Sequence, residues 1–232
     1  MALLGKGALV IWHDVRDETD YNEWHSKEHM IERVGVPGFR RGLRYVAIAG
    51  SPRYLNLYEV DDLATLTSEP YLERLNHPTP WTRRALPGMH HNSRTLCRVV
   101  ANQGGRGICG FLLTVQCEAQ PDRADGLSAW LTGEALPALV ARAGIIGAHL
   151  LQGDQTASRT GTEEKRLRGE ADAIADWIVL VGGYDAKALQ TTGHDVLSAG
   201  KLTSHGAAAP SRIGLYQLLH AVTEPDLGKA SG

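Results

Sequence analysis

Three residues in one short stretch, His25, Glu28 and His29 of WHSKEHM, have types and a spacing that chemistry can use. On a helix the offsets i, i+3 and i+4 place side chains on adjoining turns, where they can face one ligand or one metal ion. An imidazole titrating near neutrality suits a general acid or base, with His29 in that role and His25 orienting it or binding the same ligand. His13 and Asp14 close an apolar run, where strand alternation sends one to each face of a sheet, so His13 could form part of a cleft wall. Trp12, Tyr45, Tyr54 and Tyr58 could line an apolar cavity for an aromatic or lactone-like substrate, although aromatic residues on sheets more often serve as packing. Arg40, Arg41 and Arg44 cluster in one segment, and Arg83 with Arg84 follows Trp81. A guanidinium fork clamps carboxylate or phosphate, and Arg44 is the candidate among arginines that are mostly solvated. The candidate catalytic set is therefore His29, His25 and His13, and the candidate substrate-binding set is Trp12, Tyr45, Tyr54 and Arg44.

The elements that must position these residues are written twice. Shifted by 106 positions, Trp24 to Arg44 lies without a gap on Trp130 to Leu150, so that Trp24 falls on Trp130, Glu28 on Glu134, Val34 on Val140 and Gly38 on Gly144. His25 and His29 become Leu131 and Ala135, and so have a reason to exist other than the shared fold. Glu28 persists as Glu134 and reads as structural. In the first half GALVIWHDV predicts a strand, the apolar spacing from Tyr21 to Val34 a helix closed by Gly35, Pro37 and Gly38, and 39–49 and 53–60 two strands about a turn at Gly50-Ser51-Pro52. Residues 63–75 predict a helix interrupted near Pro70, NHPTPW an irregular surface connection, and 93–101 a fourth strand. After a glycine-rich joint at 103–107 the order repeats, with strands at 110–118, 145–152, 176–182 and 212–222 and helices at 127–143 and 188–202. Beyond the third strand the offset rises to 124, aligning Asp61 with Asp185. The polar segment 156–173 therefore reads as an inserted mobile loop that could act as a lid. Ser93-Arg94 recurs as Ser211-Arg212, which favours a structural role for that pair, and 224–232 reads as a frayed tail.

The order β-α-β-β-α-β is the ferredoxin-like unit, here in tandem. The expected organisation is a first domain at 1–103 carrying the site and a second, degenerate domain at 104–232. With 43% hydrophobic and 22% charged residues and a formal charge of −2, the 232-residue chain shows no electrostatic footprint for nucleic acid or an anionic membrane. Cys97, Cys109 and Cys117 lie in apolar runs and predict buried reduced thiols. No signal peptide and no membrane span is predicted, which makes the expected location cytoplasmic. No P-loop, G-x-S-x-G elbow or EF-hand loop is present.

The run YNEWHSKEHMIERVGVPGFRRGLRY, followed by YEVDD, LATLTSEPYLERL and PTPWTRR, resembles the dimeric α+β barrel superfamily, and within it the EthD-like and stress-responsive α/β-barrel groups. The resemblance covers nearly all of the first half. It implies an α+β fold in which two ferredoxin-like units lay their four-stranded sheets side by side as an eight-stranded barrel with helices outside, here as a pseudo-dimer in one chain that could still form a homodimer. It singles out His29. It also weighs against reading HSKEH as the H-x-x-E-H pattern of inverted zinc proteases, which take a third ligand from a downstream helix of a larger fold, so no metal is expected there. The implied function is that of a small-molecule enzyme using cofactor-free acid/base chemistry, such as isomerisation, cyclisation or oxygenation of an apolar or aromatic substrate. The alternatives are a non-catalytic ligand-binding or oligomerising module of the stress-responsive kind and, last, a haem enzyme, for which His149, His194, His205 and His220 supply no recognisable motif.

Overall fold

Alternation in the first strand, β1 (Gly7–Val15), sets the plan of the molecule, which a computed structural model describes over residues 2–227. Ala8, Val10 and Trp12 point into one core and Leu9 and Ile11 into another on the opposite face. Asp17 then starts a helix, its carboxylate accepting from the Thr19 and Asp20 N–H groups at 3.0 Å. This helix, α1, spans residues 18–34 and consists of Glu18–Trp24, a widened π turn at His25–His29, and Met30–Val34. It ends in a turn at Gly38, whose φ of +91° and close approach to Thr65 suit glycine.

The first unit continues with β2 (Phe39–Ala49), β3 (Tyr54–Val60), a 3-10 turn at Leu63–Thr67, α2 (Glu69–Asn76), α3 (Pro80–Ala85) and β4 (Met89–Gly104). Two details differ from expectation. NHPTPW is not irregular throughout, because Thr79 caps a helix with Pro80 in its first turn, where a missing N–H costs nothing. β4 runs past both expected ends, from Met89 to Gly104, and so includes His90 and His91 and the start of the expected joint.

The second unit comprises β5 (Phe111–Cys117), α4 at residues 124–140, β6 (Ile145–Gly153), α5 (Gln155–Ser158), α6 (Glu163–Arg168), β7 (Trp177–Gly183), α7 (Ala186–Val196), α8 (Ala199–Ser204) and β8 (Arg212–Thr223). α4 repeats the π turn at Leu131–Ala135, 106 positions after the first, and Gly144 repeats Gly38 with φ +90°. The duplication is thus visible in backbone geometry as well as in letters. The later offset is 123 rather than 124, since Phe39 pairs Val60 as Ile145 pairs Gly183, and the capping aspartates are Asp62 and Asp185 rather than Asp61 and Asp185. Gly193 fits its helix because a Cβ there would lie 2.4 Å from a methyl of Leu113.

The eight strands close in the order β1-β3-β2-β8-β5-β7-β6-β4, antiparallel throughout, with the two four-stranded sheets joined at β2–β8 and β4–β6. Closure leaves no unpaired edge. The interior is filled by Val10, Trp12, Leu43, Tyr45, Leu55, Leu57, Leu112, Leu151, Ile178, Leu180 and Tyr216, and α1 and α4 pack outside. All three cysteines are buried free thiols. No helix is long and apolar enough to cross a membrane among the described residues. Residues 224–227 of the expected tail form a 3-10 turn, and 228–232 lie outside the described residues.

Candidate functional site

α1 presents four polar residues, Tyr21, His25, His29 and Arg33, to the outer face of the first sheet, and all four are buried. Residues four apart in an ordinary α-helix drift by about 40° around the axis, so such a row would wind off the sheet. The π turn between His25 and His29 takes back part of that drift and keeps the row facing inward. Opposite it, β3 contributes Tyr54, Asn56 and Tyr58, and β1 contributes Leu9, Ile11 and His13.

The side chains form one connected group. His13 Nε2 lies 2.8 Å from the Tyr21 hydroxyl, which also accepts from Asn56 Nδ2 at 3.2 Å. The Tyr58 hydroxyl lies 3.4 Å from His25 Nε2. The His25 and His29 ring centroids are 5.4 Å apart, and His29 packs on Trp24 at 4.3 Å. Tyr54 stacks on His13 at 5.8 Å, and Arg44 lies over the Tyr21 ring while donating to Ser26 at 2.8 Å. Between helix and sheet remains a largely enclosed cavity with about 30 Å3 of free space, lined among others by His25, His29, Arg33, Asn56, Tyr58, Arg94, Glu164 and Arg168. That is room for one or two water molecules and too little for an aromatic ring.

The roof comes from the other unit. Residues 154–173 are not a solvated loop: α5 and α6 fold back over the first unit. Ser158 Oγ accepts the Leu96 N–H at 2.9 Å, and Ala173 exchanges backbone bonds with Asn92 and Arg94 at 2.9 Å each. Glu164 accepts from Arg33 in an ion pair with both side chains almost fully buried. Arg168, also facing the cavity, donates to Asp172 at 3.0 Å.

Burial pushes His25 and His29 well below the usual imidazole range, and the nearby guanidiniums of Arg44 and Arg33, respectively, push the same way. Burial likewise brings His13 down to about 3. These imidazoles are therefore neutral at physiological pH. Among the described residues, His25 Nδ1, His29 Nδ1, Asn56 Oδ1, Arg33 Nη1 and Arg168 Nε are buried without a hydrogen-bond partner. All five belong to residues that line the cavity, and left without water each would cost about 1–3 kcal/mol.

The sequence matches no protein-family model, and comparison with curated proteins likewise finds no match. Solved structures do match over the whole chain. A crystal structure described as an anthrone oxidase-like protein superposes with TM-score 0.67 at 13% identity, covering 100% of this chain and 99% of that one. The fold is a dimeric α+β barrel completed within one chain. A candidate monooxygenase from Fusobacterium nucleatum matches this barrel with TM-score 0.59 at 8% identity, over 96% of each chain. A ferredoxin-fold protein from Listeria monocytogenes related to antibiotic biosynthesis monooxygenases gives 0.50 at 8%, over 94% and 97%.

The barrel brings His25 and His29 to the cavity and sets His13, Tyr54 and Arg44 just behind them. It does not bring Trp12 or Tyr45, which sit in the barrel interior on the other side of the sheet because they occupy inward positions of β1 and β2. Arg41 is tied to buried Glu59, and Arg40 to exposed Asp61 and Glu224, so neither reaches the site. Glu28 turns away from the histidines and accepts from the Thr79 hydroxyl at 2.6 Å, which leaves HSKEH without a convergent metal set. Arg33, Asn56, Arg94, Glu164 and Arg168 were not anticipated. One signal was available for Arg33: it falls on Leu139 in the second copy, the same polar-for-apolar exchange that marks His25 and His29. The insert residues carry no such signal.

Proposed function

We propose that the protein is a cofactor-free acid/base enzyme acting on a small apolar or aromatic molecule bound between α1 and the first sheet, with His29 as the general base and His25 orienting substrate or base. The observation that carries this reading is the set of unpartnered buried polar atoms around one cavity. A neutral imidazole can accept a proton from a weakly acidic C–H or O–H. Burial makes His29 a reluctant base in the closed cavity, so transfer needs an anion developing beside it. The guanidiniums of Arg33 and Arg168 and the Arg94 side chain surround that space and would stabilise an enolate or phenolate oxygen. Substrate entry requires α6 to swing away, separating Glu164 from Arg33, and reclosure shuts water out.

The anthrone oxidase-like neighbour supplies a probe. An anthrone loses a benzylic proton to give a stabilised anion, and with dioxygen yields the anthraquinone and water. Turnover followed by quinone absorbance and oxygen uptake should fall by about 10²–10⁴ in His29→Ala, the range for losing a positioned general base. Unchanged turnover in that variant removes the base assignment. Ligand uptake with shifted His25 and His29 ring resonances but no turnover of anthrones, phenols or lactones makes the protein a binding module instead.

A further inference from the structure

A second group of titratable side chains lies at the rim of the barrel. Asp14, His90 and His91 each offer a ligand atom, and these atoms lie within 4.8 Å of one another. Consecutive residues of a regular strand point to opposite faces. Here His91 has φ +53°, and the pairing of β1 with β4 slips between Trp12 and Asp14, so that the His90 and His91 rings stand 4.7 Å apart on one side, beside Asp14. A non-glycine residue in the left-handed region is uncommon, and strain of this kind gathers at functional sites.

We propose that Asp14, His90 and His91 form a binding site for a divalent transition ion of the zinc class, distinct from the buried cavity. The groups that would orient the ligands are in place. His90 Nδ1 lies 3.2 Å from the Gly88 carbonyl oxygen, a bond that fixes the ring and leaves Nε2 to bind metal. The Arg53 N–H donates to Asp14 Oδ1 at 2.7 Å, leaving Oδ2 toward the histidines, 2.9 Å from His91 Nδ1. The site opens on a surface groove that also contains Glu170 and Arg212. Glu170 accepts the His91 N–H at 3.2 Å and adds a second carboxylate beside the site. Two imidazoles with carboxylate favour zinc, nickel, copper or cobalt over magnesium or calcium, which prefer all-oxygen sites.

The test is titration of the tag-free, chelator-stripped full chain with Zn2+ alone by calorimetry, and with Co2+ by its visible ligand-field bands. One equivalent should bind. Asp14→Asn keeps the acceptor for the Arg53 N–H, and His91→Asn keeps a residue that tolerates left-handed φ, so both variants should fold. Each should weaken binding at least about a hundredfold, while His29→Ala leaves affinity and stoichiometry unchanged. Absence of saturable uptake by the wild-type chain overturns the site, as does uptake that survives both substitutions.

Discussion

The two helix–sheet interfaces share a backbone and differ in chemistry. On the first helix the inward row reads Tyr21, His25, His29, Arg33; 106 positions later it reads Leu127, Leu131, Ala135, Leu139, all buried. Opposite these rows, Tyr54, Asn56 and Tyr58 on β3 correspond to Trp177, Val179 and Val181 on β7. Both helices carry the π turn, so the turn belongs to the duplicated scaffold, and a polar row was fitted to it in one copy only. The second interface shows what the fold needs: hydrocarbon, each large side chain contributing about 1.5–3 kcal/mol on burial. The first departs from this and lines a cavity with polar atoms that no protein group pairs among the described residues, which the packing of the helix does not require.

Writing the second copy's letters into the first tests that difference most directly. His25→Leu combined with His29→Ala should abolish ligand uptake and lower any turnover by about 10²–10⁴. The urea midpoint should fall by the equivalent of no more than about 1–3 kcal/mol, the cost of leaving the buried Tyr58 hydroxyl without the His25 ring. A midpoint that falls by the equivalent of several kcal/mol would show instead that the imidazoles hold the helix in place. The reverse exchange, Leu131→His with Ala135→His, introduces polar groups with no partners among the side chains of that core and should cost about 1–3 kcal/mol for each.

Next in size is the roof, which only the first interface possesses. Glu164→Gln leaves the Arg33 charge buried without its counter-charge, a loss of about 3–5 kcal/mol while the cavity stays closed. The protein can escape by lifting α6 into water, so the effect should appear as amide exchange in 163–168 at least about a hundredfold faster, with much of the global stability kept. Glu163→Gln, which removes an ion pair with half-exposed Arg83, should change exchange little.

The third contrast is pH dependence. His25 and His29 are held below their unfolded value near 6.5, so below that pH the unfolded chain binds more protons than the folded one. Their contribution is complete above about pH 6.5 and is lost as pH falls through the folded values. The loss approaches about 1.4 kcal/mol per pH unit for each imidazole. Urea midpoints measured from pH 7 down to pH 5 should therefore slope less in the His25→Leu, His29→Ala variant than in the wild type. Equal slopes would mean that the two imidazoles are protonated in the folded protein.

The barrel was legible because it is written in periodicity and repetition, two signals that a chain carries locally. β2 spans 39–49 as expected, and the duplicated Gly38 and Gly144 mark identical turns. The imidazoles were legible because one copy lost them. Which face Trp12 and Tyr45 take is not legible, because an aromatic side chain on a strand looks alike whether it points inward or outward, and the parity of β1 and β2 is settled only by closure, which puts both in the barrel interior. Glu164 and Arg168 were out of reach for a different reason. They come from the second unit and touch the first across 131 positions in the case of Arg33 and Glu164, in a segment whose composition is that of a solvated loop.

The smallest contrast uses the one charged residue that both copies of the helix keep. Its persistence reads as a structural role, yet the two glutamates stand in different surroundings. Glu28 is partly buried and accepts from Thr79, the residue that caps α3, while the Thr82 hydroxyl accepts from Trp24 Nε1 at 3.1 Å. Glu134 is exposed. Glu28→Ala should cost about 1 kcal/mol, the net worth of a hydrogen bond, and loosen α3. Glu134→Ala should stay within about 0.5 kcal/mol of wild type, as exposed substitutions do. Both shifts are readable as urea midpoints. Equal costs would point to a shared role in helix formation itself, such as a charge on the π turn; unequal costs place the role of Glu28 in the contact with α3, a helix that borders the polar interface through Trp24.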